Sequence, residues 1–138
     1  MKIVATIEAR MTSSRLPGKV LLPVQGKPML YHLVNRLKAV PSINEIVLAT
    51  TINSTDDVLI DFAKQESILS YRGSEEDVMS RVIGAAETAD ADVIVEITGD
   101  CPIIDPDKHF TLSRADIGVD STFSMEPAEM TQLAQANP

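Results

Sequence analysis

Cysteine occurs once in this chain, at Cys101. A single thiol cannot close an internal disulfide or supply a cysteine cluster for zinc. No apolar run approaches the ~18–20 residues needed to cross a bilayer. The opening residues Met1–Glu8 lack the long hydrophobic region and small-residue cleavage site of a signal peptide. A reducing, cytoplasmic location with no membrane partner is the expectation. Two phosphate-binding motifs are also missing. No Gly-x-Gly-x-x-Gly occurs, and Gly18-Lys19 runs into Val20 with no glycine at P-loop spacing before it. A dinucleotide-binding dehydrogenase and a P-loop NTPase are thereby disfavoured.

Positive charge is in deficit. Twelve basic against twenty acidic residues leave a net charge of −8 over 138 residues, which argues against a nucleic-acid partner. The distribution is uneven. Residues 1–38 carry seven basic and one acidic side chain, whereas residues 39–104 carry three and thirteen. A basic first quarter on an acidic protein points to a local anion site, or else to lysines and arginines that are only solvated surface.

What is present is an alternation of strand-like and helix-like segments. Runs rich in Ile, Val and Thr at residues 2–8, 45–51, 68–71 and 92–98 read as strands. Between them, Leu30, Leu33, Val34 and Leu37 recur at helical spacing after Pro28, and Pro41 ends that helix. Thr55 or Asp56 is placed to cap a second helix with apolar face Val58, Leu59, Phe62 and Ala63. Ser74 is placed to cap a third, with Asp77 at its third position and a stripe of Val78, Met79, Val82, Ile83 and Ala86. This alternation predicts an α/β fold with a mainly parallel sheet and helices on both faces. The domain is expected over residues 1–106. Residues 107–138 read as a C-terminal tail, helical or loosely ordered, with a helix over 107–115 and no convincing buried strand.

In open α/β sheets, ligands sit beyond the carboxyl ends of the strands, where strand order reverses. With the first strand central in a 3-2-1-4 order, two polar loops face each other there: Arg10–Lys19, and Thr98-Gly99-Asp100. Arg10, Arg15 and Lys19 then stand opposite one carboxylate. Cations can clamp a polyphosphate and absorb charge on a leaving pyrophosphate. A carboxylate can hold Mg²⁺, which commonly takes one or two carboxylates plus phosphate oxygens.

Four blocks carry a resemblance: Glu8-Ala9-Arg10-Met11-Thr12-Ser13-Ser14-Arg15-Leu16-Pro17-Gly18-Lys19, then Gly26-Lys27-Pro28-Met29, then Tyr71–Val78, then Thr98–Asp105. In this order and spacing the chain resembles the sugar cytidylyltransferases, which include the acylneuraminate and 3-deoxy-manno-octulosonate enzymes. It is most similar to the group of spore-coat polysaccharide biosynthesis protein F. The resemblance implies a Rossmann-like, three-layer nucleotide-diphosphosugar-transferase fold, CTP and an acidic sugar as partners, and Mg²⁺ as cofactor. The implied reaction is attack of a sugar oxygen on the α-phosphate, giving a CMP-sugar and pyrophosphate. It implies nucleotide binding by Ala9, Arg10, Ser14, Arg15, Lys19, Arg72, Ser74 and Thr98. Lys19, Arg15 and Asp100 are the candidate catalytic residues, with Asp100 as the metal ligand.

Each residue also has a plainer reading. Asp100 could cap a turn, Arg72 could pair with Glu75 or Glu76, and Ser13 and Ser14 could stabilise the loop instead of donating to phosphate. Arg81 reads as a salt-bridge former, Cys101 as a small turn residue, and His32 and His109 as structural. Full-length relatives continue through a sugar-binding and dimerisation region with a second metal-binding aspartate. The recognisable pattern here is expected to stop near Asp105–Pro106, and neither Asp116 nor Asp120 matches that second site. A truncated member with little cytidylyl transfer is the resulting expectation, any homodimer being built from another surface. The alternatives are a non-catalytic nucleotide-binding or regulatory module and an inert truncated paralogue.

Overall fold

The computed structural model describes residues 1–104 and the backbone of residues 124–125. Its centre is β1 (Ile3–Glu8), a run of β-branched and small residues buried at Val4, Ala5, Thr6 and Ile7. Burial on both faces suits a near-continuous apolar strand of a parallel sheet. On one side β1 pairs in parallel with β4 (Glu45–Thr51), which pairs with β5 (Leu69–Gly73). On the other side it pairs in parallel with β6 (Val93–Thr98). The order of the four strands is therefore the expected 3-2-1-4.

Three helices cover the two faces. Helices α1 (Met29–Lys38) and α2 (Asp57–Gln65) pack Leu30, Leu33, Val34, Leu37, Leu59, Phe62 and Ala63 against Ala5, Ile7, Ile46, Leu48 and Ile97. Helix α3 (Val78–Thr88) lies on the opposite face, where Ala85 and the following Ala89 meet Val4, Val47 and Ala49. The small residues let that helix approach the sheet closely. Among the described residues no helix is long and apolar enough to cross a membrane.

Several local features differ from the sequence reading. A two-stranded hairpin, β2 (Pro23–Val24) and β3 (Lys27–Pro28), precedes α1. Gln25 and Gly26 both adopt positive φ, as a two-residue turn of this kind requires. The cap of α3 is Asp77, which accepts from the Ser80 amide; Ser74 instead accepts from the Glu76 and Asp77 amides one turn earlier. Val58 lies on the exposed side of α2, while Val78, Met79 and Ile83 are only half-buried. Asp56 precedes α2 without capping it, because its carboxylate turns inward. A short strand, β7 (Ser124–Met125), pairs antiparallel with β6 in a stretch where no strand was expected. The helix expected over 107–115, His109, Asp116 and Asp120 lie outside the described residues.

The carboxyl end of β1 is locked to β4 on one side and to β6 on the other. The Ala9 amide donates to the Ala49 carbonyl and the Gly99 amide to the Glu8 carbonyl at 2.7 Å. A Cβ on Gly99 would stand 2.8 Å from the Glu8 carbonyl oxygen and 2.9 Å from the Ala9 Cβ. Only a residue without a side chain allows this approach. Gly99→Ala is expected to cost about 1–3 kcal/mol, the usual range for overpacking. Thermal unfolding of the variant checks this, and wild-type stability would refute it.

Candidate functional site

At the switch point between β1 and β6, the chain leaving β1 and the chain leaving β6 frame a crevice of about 370 Å³. Ala9, Arg10, Ser14, Arg15 and Lys19 line it from the first loop, and Thr98 and Asp100 from the other side. Seven of the residues singled out from the sequence thus share one crevice. Arg15 and Asp100 stand at the same end of the sheet.

The first loop is shaped by its backbone. The Met11 carbonyl accepts from the Ser13 and Gly18 amides, at 3.1 and 2.8 Å, which folds the chain back on itself. Gly18 takes a left-handed conformation (φ 70°) that turns the chain into a short 3₁₀ segment, Lys19–Leu21. Val20 is buried there, and both it and Lys19 line the crevice. Its Nζ donates to Asp100 Oδ2 at 2.8 Å. That hydrogen bond is the chief reason the Asp100 carboxyl titrates below its ordinary value. Thr98 and Cys101 close the Asp100 turn through a hydroxyl–thiol contact of 3.2 Å and a Cys101 amide to Thr98 carbonyl bond. Cys101 is accordingly a turn residue.

Arg10 reaches across the crevice mouth to Glu75, Nη1 to Oε1 at 3.2 Å. Glu75 also accepts from the Asn53 side-chain amide and from the Thr12 hydroxyl. These two bonds, in that order, hold its carboxyl below the ordinary value. Arg81 is fully buried. It donates to Glu8 Oε1 at 3.1 Å and to the Ser74 carbonyl at 2.6 Å, tying α3 to the end of β1 and to the turn that carries Glu75. Glu96, next to Glu8 on the α3 face, is pushed above its ordinary value, first by burial and then by the Glu8 charge.

Arg72 and Ser74 are not among the crevice-lining residues. Arg72 spends its donors on the Thr51 and Asn53 carbonyls and on Asp57, at 2.9, 2.6 and 2.7 Å, so its ionic partner is Asp57 and not Glu75 or Glu76. Among the described residues Arg15 makes no ion pair, which leaves it the cation most available to an incoming anion. Arg81 is the salt-bridge former the sequence suggested, with Glu8 as its partner; the sequence reading passed over Asn53, and it gave Glu75 and Asp56 other partners than the ones they take. Glu75 lies within a block already singled out, but nothing in spacing shows which way a surface carboxylate reaches.

The donor set suits a hard divalent cation. Asp100 offers an oxygen ligand at the crevice wall, and among the described residues no group of three or more acidic, His or Cys side chains is placed to hold a metal ion. A divalent cation here would be held by one carboxylate together with ligand oxygens, not by an all-protein cage.

Residues 4–115 match the cytidylyltransferase family, past the Asp105–Pro106 limit read from the motifs. The chain is similar to the spore coat polysaccharide biosynthesis protein SpsF of Bacillus subtilis, 36% identical over 127 residues that make up 88% of this chain and 53% of that protein. It superposes on a cytidylyltransferase of Leptospira borgpetersenii with a TM-score of 0.90 at 29% identity, covering 100% of this chain and 66% of that one. It also superposes on a CMP:2-keto-3-deoxy-manno-octonic acid synthetase complexed with CTP, with a TM-score of 0.69 at 31% identity, covering 86% and 50%. The chain spans about half the length of the curated relatives it matches.

Replacing Lys19 tests the electrostatics directly. Lys19→Met should move the Asp100 titration up towards its ordinary value, as read by carbon NMR of the carboxyl. The depressed folded value means that the pair favours the folded state above the ordinary Asp range. That contribution disappears as pH falls through the depressed value. An unmoved midpoint would show that Lys19 does not set it.

Proposed function

The chain belongs to the cytidylyltransferase family, and on that premise we propose that its crevice binds CTP with Mg²⁺ and serves cytidylyl transfer to an acidic sugar. The observation that carries this reading is that Arg10, Arg15 and Lys19 line one crevice with Asp100 at the switch point, Lys19 in direct contact with that carboxylate. Three cations lining one crevice with Asp100 and Glu8 suit a polyanion that arrives with a cation. The choice of CTP and of an acidic sugar rests on the relatives, among them the synthetase complexed with CTP and the 3-deoxy-manno-octulosonate cytidylyltransferase of Geobacter metallireducens.

In the proposed reaction a sugar oxygen forms a bond to the α-phosphorus while the bond from that phosphorus to the leaving pyrophosphate breaks. Negative charge accumulates on the pyrophosphate. Arg15 and Lys19 stabilise that charge from the first loop. Arg10 must leave Glu75 to take part, and Lys19 must shift from Asp100 towards phosphate. That shift frees the Asp100 carboxylate, the residue that would hold Mg²⁺, whose chemistry here is neutralising phosphate charge. Ala9, Ser14 and Thr98 line the crevice, and the Ser14 hydroxyl would donate to phosphate. The placement of Arg72 supports a role in holding the turn after β4 more than direct nucleotide contact.

Calorimetric titration tests the reading: CTP with Mg²⁺ should bind more tightly than ATP, GTP or UTP. Lys19→Ala should weaken CTP binding by about 1.5–3 kcal/mol, the range for charge-assisted hydrogen bonds, with the fold retained. An unchanged dissociation constant would remove Lys19 from the site.

A further inference from the structure

The most highly coordinated buried carboxylate described in the chain takes no part in the crevice. Asp56 ends a 3₁₀ turn, Ser54–Asp56, and has no solvent exposure. Its Oδ2 accepts from Thr50 Oγ1 at 3.0 Å, from the Thr51 amide at 3.2 Å and from Thr51 Oγ1. Both threonines are themselves fully buried. These three donors fix the carboxylate to the end of β4. The other oxygen, Oδ1, points away from them and accepts the Met11 amide at 2.8 Å.

That fourth bond falls at a critical place in the first loop. Arg10 lies between two backbone anchors, the Ala9 amide on the Ala49 carbonyl and the Met11 amide on Asp56. Beyond it, the Met11 carbonyl organises the return of the chain to Gly18 and Lys19. The peptide groups on either side of Met11 therefore connect Asp56 to both ends of the cationic loop. A buried carboxylate holds four donors only while it is ionised, and a charge-assisted bond to a loop amide is stronger than a neutral one. Burial works against the charge, but the bonds from Thr51, the Met11 amide and Thr50 outweigh it and keep the carboxyl below its ordinary value.

We propose that Asp56 is the positioning residue of the nucleotide site: through the Met11 amide it sets the direction of Arg10 and the return path to Lys19, without touching the ligand. This rests on the reading of the crevice as the CTP site. A purely structural role in the β4–α2 turn would give the same stability loss on mutation but no specific effect on the loop.

Three measurements separate the two. In the free wild-type protein, the Met11 amide should be protected from hydrogen exchange to the level of Val47 and Leu48 in β4, while Ser14 and Arg15 exchange fast. Exchange at Met11 as fast as at Ser14 would overturn the proposal without any variant being made. Asp56→Asn should speed Met11 exchange by at least about tenfold while Leu48 keeps its protection, and should weaken CTP binding by about tenfold. Leu59→Ala, which removes a fully buried α2 side chain, should lower stability yet leave the CTP affinity of the folded protein unchanged. Equal loss of affinity in both variants would reduce Asp56 to a stability role. Absence of CTP binding by the wild type would overturn the functional reading itself, and with it the positioning role. Normal binding by a folded Asp56→Asn overturns only the latter.

Discussion

Everything at the crevice depends on β1 being hydrogen-bonded on both sides. Because Ile3–Glu8 pairs with β4 on one edge and β6 on the other, its carboxyl end cannot drift sideways. The loop that follows must rise over the sheet at the point where the strand order reverses. Gly99 then brings the end of β6 to within a backbone hydrogen bond of Glu8. Lys19 and Asp100, eighty-one residues apart in sequence, meet because of that closure and not because of any local signal. The site is a property of the sheet's topology, decorated by two loops.

A second theme is self-neutralisation. The cations around the crevice are largely met by carboxylates: Arg10 by Glu75, Lys19 by Asp100, Arg72 by Asp57 and Arg81 by Glu8. The four pairs differ physically. Arg81 is fully buried, so it cannot exchange partners without leaving an uncompensated charge inside the protein. It belongs to the scaffold. Lys19 and Asp100 are each about one-third to one-half exposed. Such an exposed ion pair is worth only about 0–1 kcal/mol, less than the charge-assisted bonds a phosphate group offers. In the proposed complex a polyphosphate would displace Asp100 from Lys19 at little cost, and the carboxylate released would then hold the cation. Ligand and cation binding should favour one another for this reason.

The sheet was legible in the sequence because buried parallel strands announce themselves as runs of Ile, Val and Thr, and the four expected strands match β1, β4, β5 and β6 to within two residues at either end. The crevice was legible because loops at strand ends carry the chemistry in such folds, and seven of the named residues meet there. What escaped was the direction of individual polar side chains. Asp56 looks like a helix cap in sequence, yet two buried threonines and a loop amide compete for it and win. Ser74 loses the α3 cap to Asp77 by one turn. Arg72 belongs to the motif that carries the resemblance, but three acceptors in the β4–α2 turn take up its donors. The hairpin at Pro23–Pro28 escaped for a different reason: two-residue strands are too short to show any alternation, and only the positive φ at Gln25 and Gly26 marks the turn. Periodicity reports which face is apolar; it does not report which of several acceptors a long side chain will choose.

In the proposed complex a nucleoside triphosphate sits between the first loop and the Gly99–Asp100 turn. Amide NMR of the isotope-labelled protein during titration with CTP and Mg²⁺ tests it most directly. Saturable shifts are expected at Arg10, Ser14, Lys19, Gly99 and Asp100, with the amides of α2 left in place. Shifts confined to the outer faces of the helices, or none at all at Lys19 and Asp100, would contradict it.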